Sequence, residues 1–119
     1  MKKTIITIIL LLAASVSHGQ TIAEVRAEIV RQCLPHPEIV LAQARLESGN
    51  FKSTRAKRDH TILGIKHGTR YAKYARWQDC VADYKRRISS RYKGGDYYVF
   101  LRKIGYAQDP EYINKLKRF

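Results

Sequence analysis

The chain has 119 residues, with 23 Lys and Arg against 10 Asp and Glu and a formal net charge of +13. That length holds one small domain rather than several. Its 2 cysteines and 4 histidines fall in no zinc-like spacing, so no metal and no cofactor is expected.

In chain order, Met1-Lys2-Lys3 is a short basic start. Ile5 to Ala14 is apolar apart from Thr7, and Ser17 and Gly19 place small residues three and one before a cleavage point at Gln20. This predicts a secretory signal peptide over residues 1–19 and a mature domain over 20–119. The apolar run is shorter than the ~20 residues a membrane-spanning helix needs; an uncleaved N-terminal anchor is the alternative. Without Lys2 and Lys3 the chain keeps 21 basic residues against 10 acidic, a charge of +11. Inside a cell that excess would suggest nucleic acid. In an exported protein, periplasmic or extracellular, it points to electrostatic association with an anionic envelope, and no nucleic-acid partner is expected. In an oxidising compartment Cys33 and Cys80 have one way to pair as a disulfide; the alternative is two small buried thiols.

Thr21-Ile22-Ala23-Glu24 is a capping-box pattern, and Ile22, Val25, Ile29 and Val30 recur at helical spacing toward Cys33. Pro35 stops that helix. Pro37 suits the first position of the next, with His36 as its cap, and Gly49 supplies its left-handed stop. This second helix, 37–48, is apolar almost all round, which marks a core helix. Residues 50–60 are polar and basic and read as a loop. Thr61 to Lys66 reads as a short strand, His67 to Arg70 as a turn and Tyr71 to Ala75 as the returning strand of a small hairpin. A long helix is expected over 77–92 on the stripe Trp77, Cys80, Val81, Tyr84, Ile88 and Tyr92, ended by Gly94-Gly95. Tyr97 to Ile104 forms another, and Asp109-Pro110-Glu111 opens the last, docked by Tyr112, Ile113 and Leu116.

The acids of the mature chain sort by position. Glu24, Glu38, Asp109 and Glu111 lie in first helical turns and Asp96 at a helix start, where carboxylates favour the dipole. Glu28 lies on a polar face, and Asp79 and Asp83 lie opposite the apolar stripe of the long helix. Two remain: Asp59 in the basic loop, and Glu47, which falls beside Val40, Gln43 and Ala44 on the helical wheel. Burial and the negative helix end both raise the pKa of such a carboxyl, as a general acid requires. The alternative is a Glu paired with Arg45 or Lys52.

Gln43-Ala44-Arg45-Leu46-Glu47-Ser48-Gly49-Asn50-Phe51 resembles the catalytic-helix motif of the glucosaminidase family of peptidoglycan-cleaving endo-β-N-acetylglucosaminidases, the flagellar-assembly type included. Three further motifs follow in that family's order: Ile62-Leu63-Gly64-Ile65-Lys66, the Tyr74-to-Tyr84 helix with Trp77 and Asp83, and Gly105-Tyr106-Ala107-Gln108-Asp109-Pro110-Glu111-Tyr112. The resemblance covers roughly residues 37–118. It implies a mostly helical (α+β), lysozyme-like domain with one small β-hairpin flanking a saccharide cleft. It implies Glu47 as catalytic acid and Tyr106 as a substrate-contacting tyrosine. His60 and Thr61 stand where the family has paired asparagines, Leu63 where it has Phe, and Cys80 where it has Ser.

A second carboxylate would stand about 5–5.5 Å away in a retaining enzyme and about 6.5–9.5 Å away in an inverting one. No acid lies between Lys66 and Trp77, which leaves Asp59 as the candidate, or else the substrate's own N-acetyl group as nucleophile. Tyr71 and Tyr74, more weakly Trp77, are further sugar-binding candidates. The expectation is an exported monomeric hydrolase acting on peptidoglycan glycan strands after N-acetylglucosamine. The alternatives are a muramidase or lytic transglycosylase on the same fold, or a non-catalytic cationic wall-binding protein.

Overall fold

A computed structural model describes residues 20–119; the expected signal peptide, residues 1–19, lies outside the described residues. Helix α1 (Ile22–Arg31) starts in the predicted capping box. The Thr21 hydroxyl accepts the Glu24 N–H at 3.1 Å and the Glu24 carboxylate accepts the Thr21 N–H at 3.2 Å. Val25 and Ile29 bury one face of α1 against α2 (Pro37–Ser48) and α4 (Trp77–Arg87). His36 stands at the cap of α2 in the left-handed region (φ 48°) and offers it no side-chain bond. Its ring nitrogen meets the Tyr92 hydroxyl at 2.8 Å instead. Gly49, at φ 58°, closes α2 with its N–H on the Arg45 carbonyl.

Helix α2 is the centre of the core, as its composition predicts. Val40 and Ala44 are fully buried, with Leu41 and Ala42 nearly so. A fully buried Val or Leu contributes roughly 1.5–3 kcal/mol, so the apolar residues of α2 outweigh the cost of burying Gln43 and Ser48 beside them. Those two are hydrogen-bonded besides: Ser48 Oγ donates to the Ala44 carbonyl at 2.5 Å and accepts the Phe51 N–H at 2.8 Å.

The basic segment read as a loop contains a short helix, α3 (Thr54–Asp59). Ser53 caps it by accepting the Ala56 N–H at 3.1 Å, Ala56 is buried beneath it, and His60 ends it in the left-handed region. One apolar residue gives no readable periodicity, and the cap residue was the available signal. The hairpin is real but shrunken. Strands β1 (Lys66–His67) and β2 (Arg70–Tyr71) pair antiparallel, Lys66 with Tyr71 and His67 with Arg70. Ile62, Leu63 and Ile65, expected in a strand, are buried as an irregular apolar segment.

The long helix α4 stops at Arg87, and a 3₁₀ turn follows over Ser89–Arg91. The hydroxyls of Ser89 and Ser90 donate back to the Lys85 and Arg86 carbonyls, the competition through which serine ends or bends helices. Helix α5 (Tyr97–Lys103) is capped by Asp96, which accepts from Tyr98 and Val99. The last helix, α6 (Tyr112–Leu116), begins after Pro110 rather than at it. Asp109 makes a turn ahead of it by accepting the Glu111 N–H at 2.9 Å. Helix α6 packs back on α2.

Two expectations fail on tertiary grounds. Cys33 and Cys80 are not bonded: Cys33 is exposed, at φ 62°, in the turn after α1, while Cys80 is fully buried in α4 with its sulfur toward the Leu63 carbonyl. Burial pushes the Cys80 thiol up to about 11 and keeps it neutral. Asp83, read as lying opposite the packed stripe, is 2% exposed. It accepts from Tyr74 Oη at 2.6 Å, His67 Nε2 at 2.9 Å, Arg87 Nε at 2.9 Å and also Arg86, so it ties the hairpin to α4.

Burial works to raise the Asp83 carboxyl, but the bonds from Tyr74, His67 and Arg87 outweigh it and hold the group below its ordinary range. A lowered folded pKa means stability that is present above the unfolded value of about 3.9 and is lost as pH falls through the folded one. Asp83→Asn is expected to cost about 2–3 kcal/mol at neutral pH and to shrink the acid-induced fall in Tm. Equal acid sensitivity of both proteins in thermal melts would contradict this assignment.

Candidate active site

Glu47 leaves the last turn of α2, one turn beyond Gln43, and its carboxylate is held from three directions. Gly64, in the buried segment leading to β1, donates its N–H to Oε1 at 2.6 Å. Tyr106, just after α5, donates its hydroxyl to the same oxygen at 2.8 Å. Tyr112, the first residue of α6, donates to Oε2 at 2.6 Å. The first of these contacts dictates its residue, since a Cβ on Gly64 would lie 3.0 Å from Glu47 Oε1. The carboxylate can be approached that closely because glycine has no side chain there.

A buried chain of hydrogen bonds runs behind this cluster. Tyr112 Oη accepts from Gln43 Nε2 at 3.2 Å, Gln43 Oε1 accepts from Tyr84 Oη at 2.5 Å, and Tyr84 and Tyr97 hydroxyls meet at 2.6 Å. The directions follow from the donor inventory. Tyr84 gives its proton to Gln43, so Tyr97 must donate to Tyr84. With Gln43 turning its Nε2 toward Tyr112, the Tyr112 proton is left to point at Glu47. The amide of Gln43 thus relays the order of the core to the carboxylate.

Burial pushes the Glu47 carboxyl above its ordinary value, against the opposing pull of the bonds from Tyr112, Gly64 and Tyr106. The two phenols move up as well, through burial first and then the neighbouring Glu47 charge. They therefore act as fixed donors that stay protonated. A carboxyl of raised pKa, held by donors and open to a cleft, can deliver a proton from its neutral form.

The cleft has a volume of about 710 Å³. Glu47, Gly64, Tyr106 and Tyr112 lie along it, with Tyr71 and Lys66 from the hairpin, Arg55 from α3, and Arg87 and Arg91.

Residues 24–119 match the family described as Glucosaminidase: Mannosyl-glycoprotein endo-beta-N-acetylglucosaminidase. The chain belongs to the glucosaminidase family. It is in that sense a glycoside hydrolase of the glucosaminidase type. Among solved structures, the catalytic domain of the autolysin Auto from Listeria monocytogenes shares the fold. The match has a TM-score of 0.63 and 22% identity, and covers 89% of this chain and 88% of that one. No curated protein matches the chain.

Within this glucosaminidase domain, Glu47, Tyr106 and Tyr71 line the same cleft. Tyr74 does not join them, because its hydroxyl is committed to Asp83. Trp77 is half-buried against the core. Asp59 does not line the cleft, and its carboxylate is paired with Arg58 at 3.0 Å. The carboxylate that lines the cleft beside Glu47 is Asp109. Its oxygens serve the Glu111 N–H and Lys115 Nζ, at 2.9 and 2.7 Å.

Tyr112, Gly64 and Gln43 were missed as site residues by the sequence reading. Tyr112 reads as a docking residue, although a tyrosine at such a position carries a hydroxyl that needs a partner. Gln43 is a polar residue on an apolar helix four positions before Glu47, which puts the two on one face. Tyr112→Phe removes a donor that favours the ionised carboxylate, so the Glu47 pKa is expected to rise further. The alkaline limb of the kcat/KM profile should move to higher pH and kcat should fall. An unshifted limb would show that Tyr112 does not bear on the carboxyl.

Proposed function

We propose that this protein is an exported peptidoglycan hydrolase that cleaves the β-1,4 bond after N-acetylglucosamine, with Glu47 as general acid. The single observation that carries the reading is a raised-pKa carboxyl held by Gly64, Tyr106 and Tyr112 along an open cleft. Family membership supports the sugar chemistry, and a neighbour of like fold named an autolysin supports the bacterial wall as its site of action. Export through residues 1–19, cleaved or not, would carry the protein to the periplasm or beyond it.

In this mechanism Glu47 gives its proton to the glycosidic oxygen as the C1–O bond breaks. Positive charge then develops at C1. With Asp59 outside the cleft and Asp109 held by Lys115, the substrate's acetamido oxygen closes on C1 as the internal nucleophile, a route some glycosidases take. Water reopens that ring and returns its proton to Glu47. Tyr106 and Tyr112 keep the carboxylate oriented through both steps, and Tyr71 lines the cleft beside them. A single acid also suits a muramidase or lytic transglycosylase, which would cut the other bond.

Digestion of purified peptidoglycan, with the new ends identified by mass spectrometry, tests this reading. Reducing N-acetylglucosamine ends are expected, and Glu47→Gln should lower kcat by about 10²–10⁴-fold. The raised Glu47 pKa implies that ionising this group costs stability as pH rises through its folded value, so the variant is expected to melt no lower than wild type at neutral pH. Reducing N-acetylmuramic acid would assign a muramidase, and its 1,6-anhydro form a transglycosylase. Equal fragments from both proteins would remove Glu47 from the chemistry, and no fragments from wild type would favour a wall-binding protein.

A further inference from the structure

The cleft is rich in cations, and none of them is hydrogen-bonded to Glu47. Arg55, Lys66, Arg87 and Arg91 line it. The Glu47 shift arises from burial and three hydrogen bonds, with no cation among its causes. Arg87 is committed to the buried Asp83 at 2.9 Å. Among the described residues, Arg55, Lys66 and Arg91 meet no carboxylate at salt-bridge distance, whereas Arg26, Arg31, Arg58, Arg76 and Arg86 each do. Three cations that line one cleft with no carboxylate at salt-bridge distance favour an anionic ligand there.

Two of them are organised as a unit. The Arg55 guanidinium lies 3.5 Å from the Tyr71 ring centroid, and Lys66 Nζ lies 5.1 Å from the same ring. Helix α3, β1 and β2 each supply one member. A stacked guanidinium has its face covered and its N–H edge free, which suits a carboxylate taken by two parallel bonds. Arg91 adds a third cation from the 3₁₀ turn after α4. An N-acetylglucosamine ring carries no charge, so sugar alone leaves all three cations unmatched.

We propose that Arg55, Lys66 and Arg91 form a carboxylate-reading rim, and that the preferred substrate is a glycan strand bearing peptides with free carboxylates rather than bare or amidated glycan. This rests on the peptidoglycan reading above and names the part of the polymer that the cleft selects. Salt weakens the preference, because exposed charges act through screened solvent.

The test uses soluble, uncrosslinked peptidoglycan strands in two forms, one native and one with its carboxylates converted to methylamides. Full-length Glu47→Gln protein holds either strand uncut, so affinity is read apart from cleavage. Native strand is expected to bind more tightly, and the difference should narrow at high salt. Arg55→Gln, Lys66→Gln and Arg91→Gln, each added to that background, are expected to weaken native-strand binding about two- to fivefold apiece, the range exposed ion pairs reach. The triple variant should abolish the discrimination between strands. A triple variant at cations outside the cleft, Arg26, Lys103 and Arg118 to Gln, should retain it. Equal affinity for the two strands, or equal losses from both triple variants, would overturn the rim. Discrimination in binding, with no cleavage of either strand by wild type, would overturn the catalytic reading and leave the rim in place.

Discussion

A carboxylate taken out of water at the end of a buried helix must be met by donors, or the helix cannot pack there. Glu47 is met by three, and each comes from a different part of the chain: the segment before the hairpin, the residue after α5 and the start of α6. The irregular course of residues 62–65, the turn at Gly105 and the late start of α6 all serve this convergence. Much of the tertiary arrangement around α2 is thus a solution to one desolvation problem.

That solution leaves the carboxyl in tension. Burial drives it toward the protonated form, while three donors are arranged to favour the charged form. Burial and the three donors therefore pull the carboxyl in opposite directions, and burial is the stronger. The Gln43–Tyr112 link keeps the geometry fixed while the charge changes. Because Gln43 is fully buried on the helix that carries Glu47, the core and the site share one structural element.

Asp83 is the second buried carboxylate hub, and its balance falls the other way. Bonds from Tyr74, His67 and Arg87 outweigh burial and keep it ionised. It fastens the hairpin, whose two-residue strands have little pairing energy of their own, to the end of α4. Lys66 and Tyr71 are placed along the cleft by that hairpin, so a residue that need not touch substrate helps set the cleft wall. The difference between Glu47 and Asp83 lies in the donors: neutral N–H and O–H groups at the first, with arginines added at the second.

Local rules fixed much of this protein in advance. The capping box at Thr21, the bounds of α2 between Pro37 and Gly49 and the place of Glu47 on an apolar helix face follow from spacing, caps and a periodic apolar pattern, which act over three or four residues. What those rules could not reach was set by contacts between distant segments. Helix α3 has one buried residue and no period to read. Asp83 looked solvent-facing because a helical wheel records direction but not what packs there, and the hairpin covers it. Cys33 and Cys80 permitted a bridge by count, while the fold buries one and exposes the other. Tyr112 stands 65 residues from Glu47 and Gly64 stands 17 away. Their meeting at one carboxylate was decided by packing, because a hydrogen bond of that separation exists only once the chain between its ends has closed.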